Sequence, residues 1–384
     1  MDFYTRKLAY LWLRLSEFII NIIVYFYSIF YKKSNRNGEI KSIGAYWYGP
    51  IDLTGSDLRL GEWKVYFEKD GISYTNLHVN SFKEFSPIRS KGTWTQKYLY
   101  FAKSLWRRLP QMLIAHRFDT IWIDRALIPF YPRKSSFLEN RLKLVVKRVV
   151  VDCTDGGDYQ DNPQLMDGVF KSADKITVGY KFLKQMFSER FDVTQVFWTI
   201  PTEKYTIKRD YNFKNKPVIG WMGSPGNFYH IRKIIPILEE VNKEFPFVFE
   251  YICRENLNHE FKDIEVIHHF FSEDYHTVLS NFDIGLSPNL ENDLRAKGKI
   301  AMKHQEFLLM GTPQICSPIA ISEFVVNEEH VLIANEIEDW KKYLIQLLTN
   351  ESLREKLGSN CREVFNENYL YSSQYEKLKK VLVD

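Results

Sequence analysis

The chain has 384 residues, a formal charge of +4 and 45% hydrophobic side chains, enough apolar material for two or three full cores at roughly 150 residues per domain. The positive excess is too small for a nucleic-acid footprint and suits weak attraction to an anionic membrane or a phosphate-bearing substrate. The four cysteines, Cys153, Cys253, Cys316 and Cys361, show no CxxC spacing and no nearby histidine cluster, so they read as reduced thiols rather than disulfides or a zinc site.

Residues Leu8 to Tyr31 form an apolar, aromatic segment interrupted by Arg14 and Glu17. The clean run Phe18–Tyr31 has 14 residues, short of the roughly 20 that span a bilayer. Arg6 and Lys7 precede it and Lys32, Lys33 and Arg36 follow. The pattern predicts a membrane-associating helix through residues 8–31, lying on the surface or marginally spanning with Arg14 snorkelling to the interface. The competing reading packs the same helix on its own domain or on a dimer partner.

After a polar linker over 35–40, a strand is predicted over Lys41–Tyr48, then a loop with Gly55 and Ser56. A helix carries Trp63, Tyr66 and Phe67, and a strand covers Ser73–Val79. Further helices are predicted over Tyr98–His116, Phe137–Lys147 and Gln164–Ser172. Strands are predicted over Thr120–Asp124, Arg148–Cys153, Lys175–Val178 and Gln195–Trp198. A second unit opens after the charged stretch Glu203–Lys216. Strand Pro217–Trp221 runs into Gly223-Ser224-Pro225-Gly226, and Ile231, Ile234, Ile235, Leu238 and Val241 mark one face of a helix that Pro236 should kink or delay. Strands follow at Phe247–Cys253, Glu265–His268, Ile284–Ser287 and Gln314–Cys316, and a last helix at Ser372–Val383. Alternating strands and helices imply parallel sheets with crossovers.

The segment KIAMKHQEFLLMGTPQICSP, Lys299 to Pro318, is the most informative stretch. A short helix carries Glu306, Gly311 can close that helix in the left-handed conformation, Pro313 cannot continue it, and an apolar strand follows. A carboxylate in this setting can accept both hydroxyl protons of a ribose. The segment resembles the donor motif of GT-B glycosyltransferases, especially the retaining family four, although Gly298 stands where that family has its first Glu. FDTIWIDRALIPFYP, RVVVDCTDGG, VIGWMGSPGN, FDIGLSP and GSDLRL resemble other pieces of these enzymes, and the similarity covers residues 41–384. The resemblance implies an α/β GT-B fold: two Rossmann-like domains with parallel sheets facing across a cleft, plus the N-terminal apolar helix. The expected divisions are 1–36 (membrane-associating helix), 37–205 (acceptor side), 206–368 (nucleotide-sugar side) and 369–384 (a helix crossing back).

Transfer from a nucleotide diphosphate sugar needs cations and helix N-termini for the departing diphosphate. Lys299, Lys303, Arg295 and Arg254 are the candidate cations, with Lys299 and Lys303 read as i, i+4 neighbours on one helix face. Gly223 and Ser224, and Gly55 and Ser56, are candidate phosphate loops; plain connecting turns are the alternative. Asp155 and Asp152, at the end of a buried strand, are candidates to orient or deprotonate the acceptor hydroxyl; a helix cap is the competing role for Asp155. Arg125 is a candidate phosphate contact. His116 and His304 read as surface or capping residues, and the His268-His269 pair lacks Cys or carboxylate partners at ligand spacing. No Asp-x-Asp motif occurs, so no metal and no cofactor is expected, the nucleotide sugar being a substrate. The reading is a retaining, metal-independent glycosyltransferase on the cytoplasmic face of a membrane. It would act on a surface glycan or lipid-linked oligosaccharide in polysaccharide biosynthesis, with no nucleic-acid partner. The alternatives are a catalytically silent GT-B scaffold and a nucleotide-sugar epimerase of the same architecture.

Overall fold

The computed structural model describes residues 2–33, 37–47, 49, 57–128, 130–272 and 274–384. The chain divides into two units, Met1–Thr199 with Gln374–Asp384, and Ile200–Ser373. The first unit includes the N-terminal helix, Asp2–Phe30.

The first unit is built on a six-stranded sheet: β1 Ser42–Tyr46, β2 Ser73–Leu77, β3 Thr120–Asp124, β4 Arg148–Cys153, β5 Lys175–Val178 and β6 Val193–Gln195. The order is β2-β1-β3-β4-β5-β6 and every pairing is parallel. All five residues of β3 are buried, as expected when helices cover both faces of a parallel sheet. The strand expected over Gln195–Trp198 lies slightly earlier, at β6. Short helices at Phe82–Lys91, Gly156–Asp161 and Lys181–Ser188 were not legible from periodicity, because few apolar repeats fit into two or three turns. The helix expected from Tyr98 starts at Trp94, where Thr93 and Gln96 form a reciprocal capping box. The last helix, Tyr371–Leu382, returns to this sheet. Thr120 Oγ1 donates to the Leu382 carbonyl at 2.8 Å, and Tyr375 donates to Asp70 at 2.7 Å.

The N-terminal helix runs from Asp2 to Phe30, long and apolar enough by length and composition to cross a membrane. One face is nevertheless committed to the first unit. Leu13, Ile20 and Val24 are fully buried. Polar locks fix the register: Trp106 donates to Ser16 Oγ at 3.1 Å, Tyr131 donates to the Glu17 carboxylate, and the Tyr27 hydroxyl accepts the His116 amide N–H at 2.8 Å. The opposite face leaves Phe3, Leu8, Phe18 and Phe30 in the open, with Phe3 73% and Phe30 80% exposed. Packing on its own domain therefore holds for half of this helix.

The second unit has β7 Val218–Met222, β8 Val248–Ile252, β9 Glu265–His269, β10 Ile284–Ser287, β11 Gln314–Cys316 and β12 Leu332–Ile333. Its order, β12-β11-β10-β7-β8-β9, is again parallel throughout. Counting from its own first strand, this is the doubly wound 3-2-1-4-5-6 arrangement, whose switch point lies between β7 and β10. The helix after β7 runs from Phe228 to Glu244, straight through Pro236. Helix Met302–Met310 closes at Gly311 with φ 74°, the left-handed closure expected from the sequence. All four cysteines are free and buried.

Deleting residues 1–33 should expose the apolar surface beneath Leu13, Ile20 and Val24 and lower the melting temperature or cause aggregation. Leu13→Ala alone should cost about 2–5 kcal/mol in a urea titration. Phe18→Ser on the open face should leave stability within about 0.5 kcal/mol.

Candidate donor and acceptor sites

In the second unit, the strand ends at the β7/β10 switch point converge with the start of helix Phe228–Glu244, where ligands of such sheets bind. Gly223 follows β7, and a Cβ there would meet the Trp221 ring at 2.4 Å; the glycine lets the backbone fold over a buried indole. Ser224 is exposed at the entry to a single 3₁₀ turn, Pro225–Asn227, that leads into the helix. His230, in its first turn, is buried, and its Nδ1 accepts the Leu290 N–H at 3.1 Å, which places the ring proton on Nε2. Burial, reinforced by the charges of Lys303, Lys299 and Lys233, pushes the His230 pKa down to about 4. The Asn289 N–H donates to Ser317 Oγ at 2.9 Å, tying together the loops that leave β10 and β11.

Helix Met302–Met310 carries two buried charges into this region. Lys303 lies 5.7 Å from the Trp221 ring centre, a cation–π distance. Burial and neighbouring Lys299 lower its pKa to about 8. Glu306 is fully buried. Its Oε1 accepts from the Tyr275 hydroxyl at 2.6 Å and from the Tyr205 hydroxyl at 2.8 Å. Its Oε2 is buried with no hydrogen-bond partner, an acceptor left unsatisfied at a cost of about 1–3 kcal/mol. Burial raises the carboxyl pKa to about 7, against the hydrogen bonds and Lys303 that pull it down. Lys299 precedes the helix, so it does not share a helical face with Lys303; the pair is coupled through space instead. Arg295 is half-buried in the short helix Leu294–Lys297, which Asp293 caps. Gly298 is buried and closes that helix with its N–H on the Leu294 carbonyl at 2.8 Å. Arg254 is exposed and lies over the Phe271 ring at 5.8 Å.

In the first unit, the ends of β3 and β4 gather charge. Asp152 is fully buried, and Arg59 grips it with Nε at 2.8 Å and a terminal nitrogen at 2.5 Å, while Thr177 also donates to it. Both oxygens accept hydrogen bonds inside the unit, which gives Asp152 a structural role. Asp155 caps helix Gly156–Asp161 by accepting the Gly157 N–H at 2.8 Å. Arg125 sits at φ 60°, a strained conformation for a residue with a side chain, and donates to Asp124 at 3.2 Å and Asp158 at 2.9 Å. Burial, together with the Asp152 and Asp158 charges, lifts Asp124 to about 6 despite Arg125. Gly55 and Ser56 lie outside the described residues. Among the described residues no three His, Cys, Asp or Glu side chains are grouped to hold a metal ion.

Residues 232–380 match the family model of glycosyl transferase-like proteins. Over the whole chain, similarity is structural. HepE of Anabaena, solved with UDP and glucose, superposes with a TM-score of 0.63 at 10% identity, covering 89% of this chain and 99% of that one. Sucrose-phosphate synthase of Thermosynechococcus elongatus gives 0.63 at 11% identity over 88% and 98%. An alpha-glucosyltransferase solved with UDP-glucose and abasic DNA gives 0.56 at 14% over 89% and 98%. No curated protein matches in sequence. The chain has the GT-B fold. The family match falls mostly within its second unit.

Within this GT-B chain, Glu306, Lys303, Lys299 and Gly223 come together near one strand-end region, whereas Arg254 stands exposed on the sheet's β8 side. His230, Tyr205 and Tyr275 went unnoticed in the sequence. His230 had a local signal, standing in the first turn after the glycine loop; Tyr205 had none, since it meets Glu306 from 101 positions away. His304 is neither surface nor cap: it is fully buried, with Nδ1 2.7 Å from Gln314 Oε1 and Nε2 accepting the Ser322 N–H at 3.0 Å. His268 and His269 also bond internally, to the Cys253 carbonyl and the Glu250 carboxylate.

Two sets of variants separate structural from chemical roles. Asp152→Asn should destabilise the fold by about 3–5 kcal/mol in denaturant titration, because Arg59 is left buried without its counter-ion. Asp155→Asn should hold stability within a few tenths of a kcal/mol, since asparagine caps equally well. Glu306 binds its proton more tightly folded than unfolded, so its contribution is full below about pH 4.5 and is lost as pH rises through about 7. Glu306→Gln should therefore melt above the wild type at pH 8, by the equivalent of up to about 3 kcal/mol, and alongside it at pH 5.

Proposed function

We propose that this GT-B chain transfers a sugar from a nucleotide diphosphate sugar to a hydroxyl of a surface glycan or lipid-linked oligosaccharide, with retention at the anomeric carbon. The observation that carries the reading is the unpartnered, buried Oε2 of Glu306 within reach of the Lys303 charge. Tyr205 and Tyr275 hold Oε1 and so fix the carboxylate, leaving Oε2 as an acceptor for a ribose hydroxyl. Glu306 is sealed from solvent, so a hydroxyl reaches it after neighbouring side chains shift. The solved structures of HepE and of the alpha-glucosyltransferase, both holding UDP or UDP-glucose, support the same donor class here. Retention follows the resemblance of the Lys299–Pro318 motif to family four.

In this reading the departing diphosphate gains negative charge, which Lys303, Lys299 and Arg295 compensate together with the N–H groups that open helix Phe228–Glu244. Preformed cations need no reorganisation during reaction, and no bound metal is required of the residues present. Neutral His230 can donate its Nε2 proton to a phosphate oxygen while leaving the net charge to the lysines. On the acceptor side, Asp155 and Arg125 remain the candidates to orient a hydroxyl and an anionic group. The open apolar face of helix Asp2–Phe30 suits insertion into the headgroup layer of the cytoplasmic leaflet. Its buried face suits attachment to the domain rather than passage through a bilayer.

Isothermal titration with nucleoside diphosphates and with bare nucleosides tests the donor site. Lys303→Ala should weaken the diphosphate at least tenfold and the nucleoside little; equal loss for both would remove Lys303 from the phosphate site. Lys303 loses its proton through about pH 8, so wild-type diphosphate affinity should fall about tenfold from pH 7 to 9, and Lys303→Arg should flatten that fall. Glu306→Gln should raise the Kd of both ligands about tenfold, through loss of a charge-assisted hydrogen bond to the ribose.

A further inference from the structure

The first unit contains a cavity of about 470 Å³, within the range of roughly 300–1,000 Å³ typical of ligand sites. Its walls are chiefly apolar and aromatic: Phe85, Ile88, Trp94, Tyr100, Ile128 and Leu165 are among them. Ala126 and Asp158 also line it, the neighbour and the ion partner of Arg125 at the end of β3. Other lining residues meet the docked N-terminal helix. Tyr131 lines the cavity and donates to Glu17. Trp94, also lining it, lies 6.0 Å under the Arg6 guanidinium. The cavity thus shares its lining with residues that support a helix whose outer face is open and apolar.

We infer that this cavity holds the hydrocarbon chain of the acceptor. The inference rests on the transfer reading above and narrows its acceptor to a saccharide carried on a long apolar chain. A free sugar offers too few apolar atoms to fill such walls, whereas each buried methylene contributes about 0.8 kcal/mol. Through Tyr131 and Trp94 the site adjoins helix Asp2–Phe30, whose open apolar face would hold the protein where a membrane-borne chain lies. Its lining also includes Asp161 and Asp158, the ion partner of Arg125, and the polar head of the same molecule would sit beside that pair. Lys97 and Lys134 at the lining suit a phosphate between chain and sugar.

Farnesyl phosphate, farnesol and inorganic phosphate, each titrated into the full-length protein, provide the test. Farnesyl phosphate should bind with micromolar affinity and inorganic phosphate should not. Retained farnesol binding assigns the affinity to the chain; its loss assigns the affinity to the phosphate and overturns the inference. Ile88→Trp, at a half-buried wall position, should fill the space and raise the farnesyl phosphate Kd at least tenfold. Trp94→Ala, at a side chain 48% exposed and so safe for folding, should raise it about fivefold. Leu11→Ser and Phe18→Ser on the outer face of the helix should leave it unchanged. If those two abolish binding while Ile88→Trp does not, the chain merely coats the helix and the inference falls. Nucleoside diphosphate affinity, measured alongside, should be equal in all these proteins. If the wild type binds no nucleotide yet passes the farnesyl tests, the transfer reading fails while the chain site stands.

Discussion

Burying an ionic group is affordable only when the surrounding structure satisfies it, and that constraint organises both units. In the first, Arg108 is fully buried and spends its donors on backbone carbonyls: Trp47 at 2.8 Å, Leu77 at 3.0 Å and Leu127 at 3.0 Å. These carbonyls lie just beyond or at the ends of β1, β2 and β3. One side chain therefore holds three strand exits in register. Glu139 answers from the next helix by accepting the Leu127 N–H at 3.0 Å. Arg59 and Asp152 do the same for β4 and the segment after β6, since Arg59 also donates to the Val196 carbonyl at 3.0 Å. The loops that would meet an acceptor thus rise from a platform fixed by ionic hydrogen bonds.

The second unit uses the same constraint differently. Glu306 and Lys303 are buried within one helix, but neither is saturated as Asp152 is. The carboxylate keeps an unmatched oxygen, and the ammonium faces an indole instead of a carboxylate. Their pKa values converge on neutrality from opposite sides. Such incomplete satisfaction is what a ligand site shows and a structural ion pair does not. Asp152 and Glu306 thus differ in how fully the fold engages them, although each stands beside a buried strand in the sequence.

What could be read from the sequence follows the range of the interaction involved. Strand β3 and the Gly311 closure are written in local pattern and local steric preference and were legible to the residue, whereas the helix after β7 was legible by its apolar face but not by its start, which lies eight residues before Pro236. The donor segment around Glu306 was legible as a resemblance in motif. The ion pair of Asp152 was not legible because its partner, Arg59, is 93 positions away; nothing beside it in the sequence announces a counter-ion. Lys299 and Lys303 were given a common helix face because their spacing allowed it, whereas the chain turns helical only at Met302. The N-terminal helix was legible as apolar, but not its division into a docked and an open face. That division depends on Trp106, Tyr131 and His116, which reach it only through the tertiary fold.

The four buried cysteines have a consequence of their own. A thiol reagent needs both exposure and a thiolate, and burial denies the first while raising the pKa of all four. Labelling must then await an opening of the chain, and its rate reports the free energy of that opening. Cys153 lies in the first unit, with Cys253, Cys316 and Cys361 in the second. The native sequence therefore carries built-in reporters of local opening in each half, and Cys361, bonded through Sγ to the Gly358 carbonyl and close to the Phe307 and Leu308 carbonyls, reads the motion of the very helix that carries Glu306.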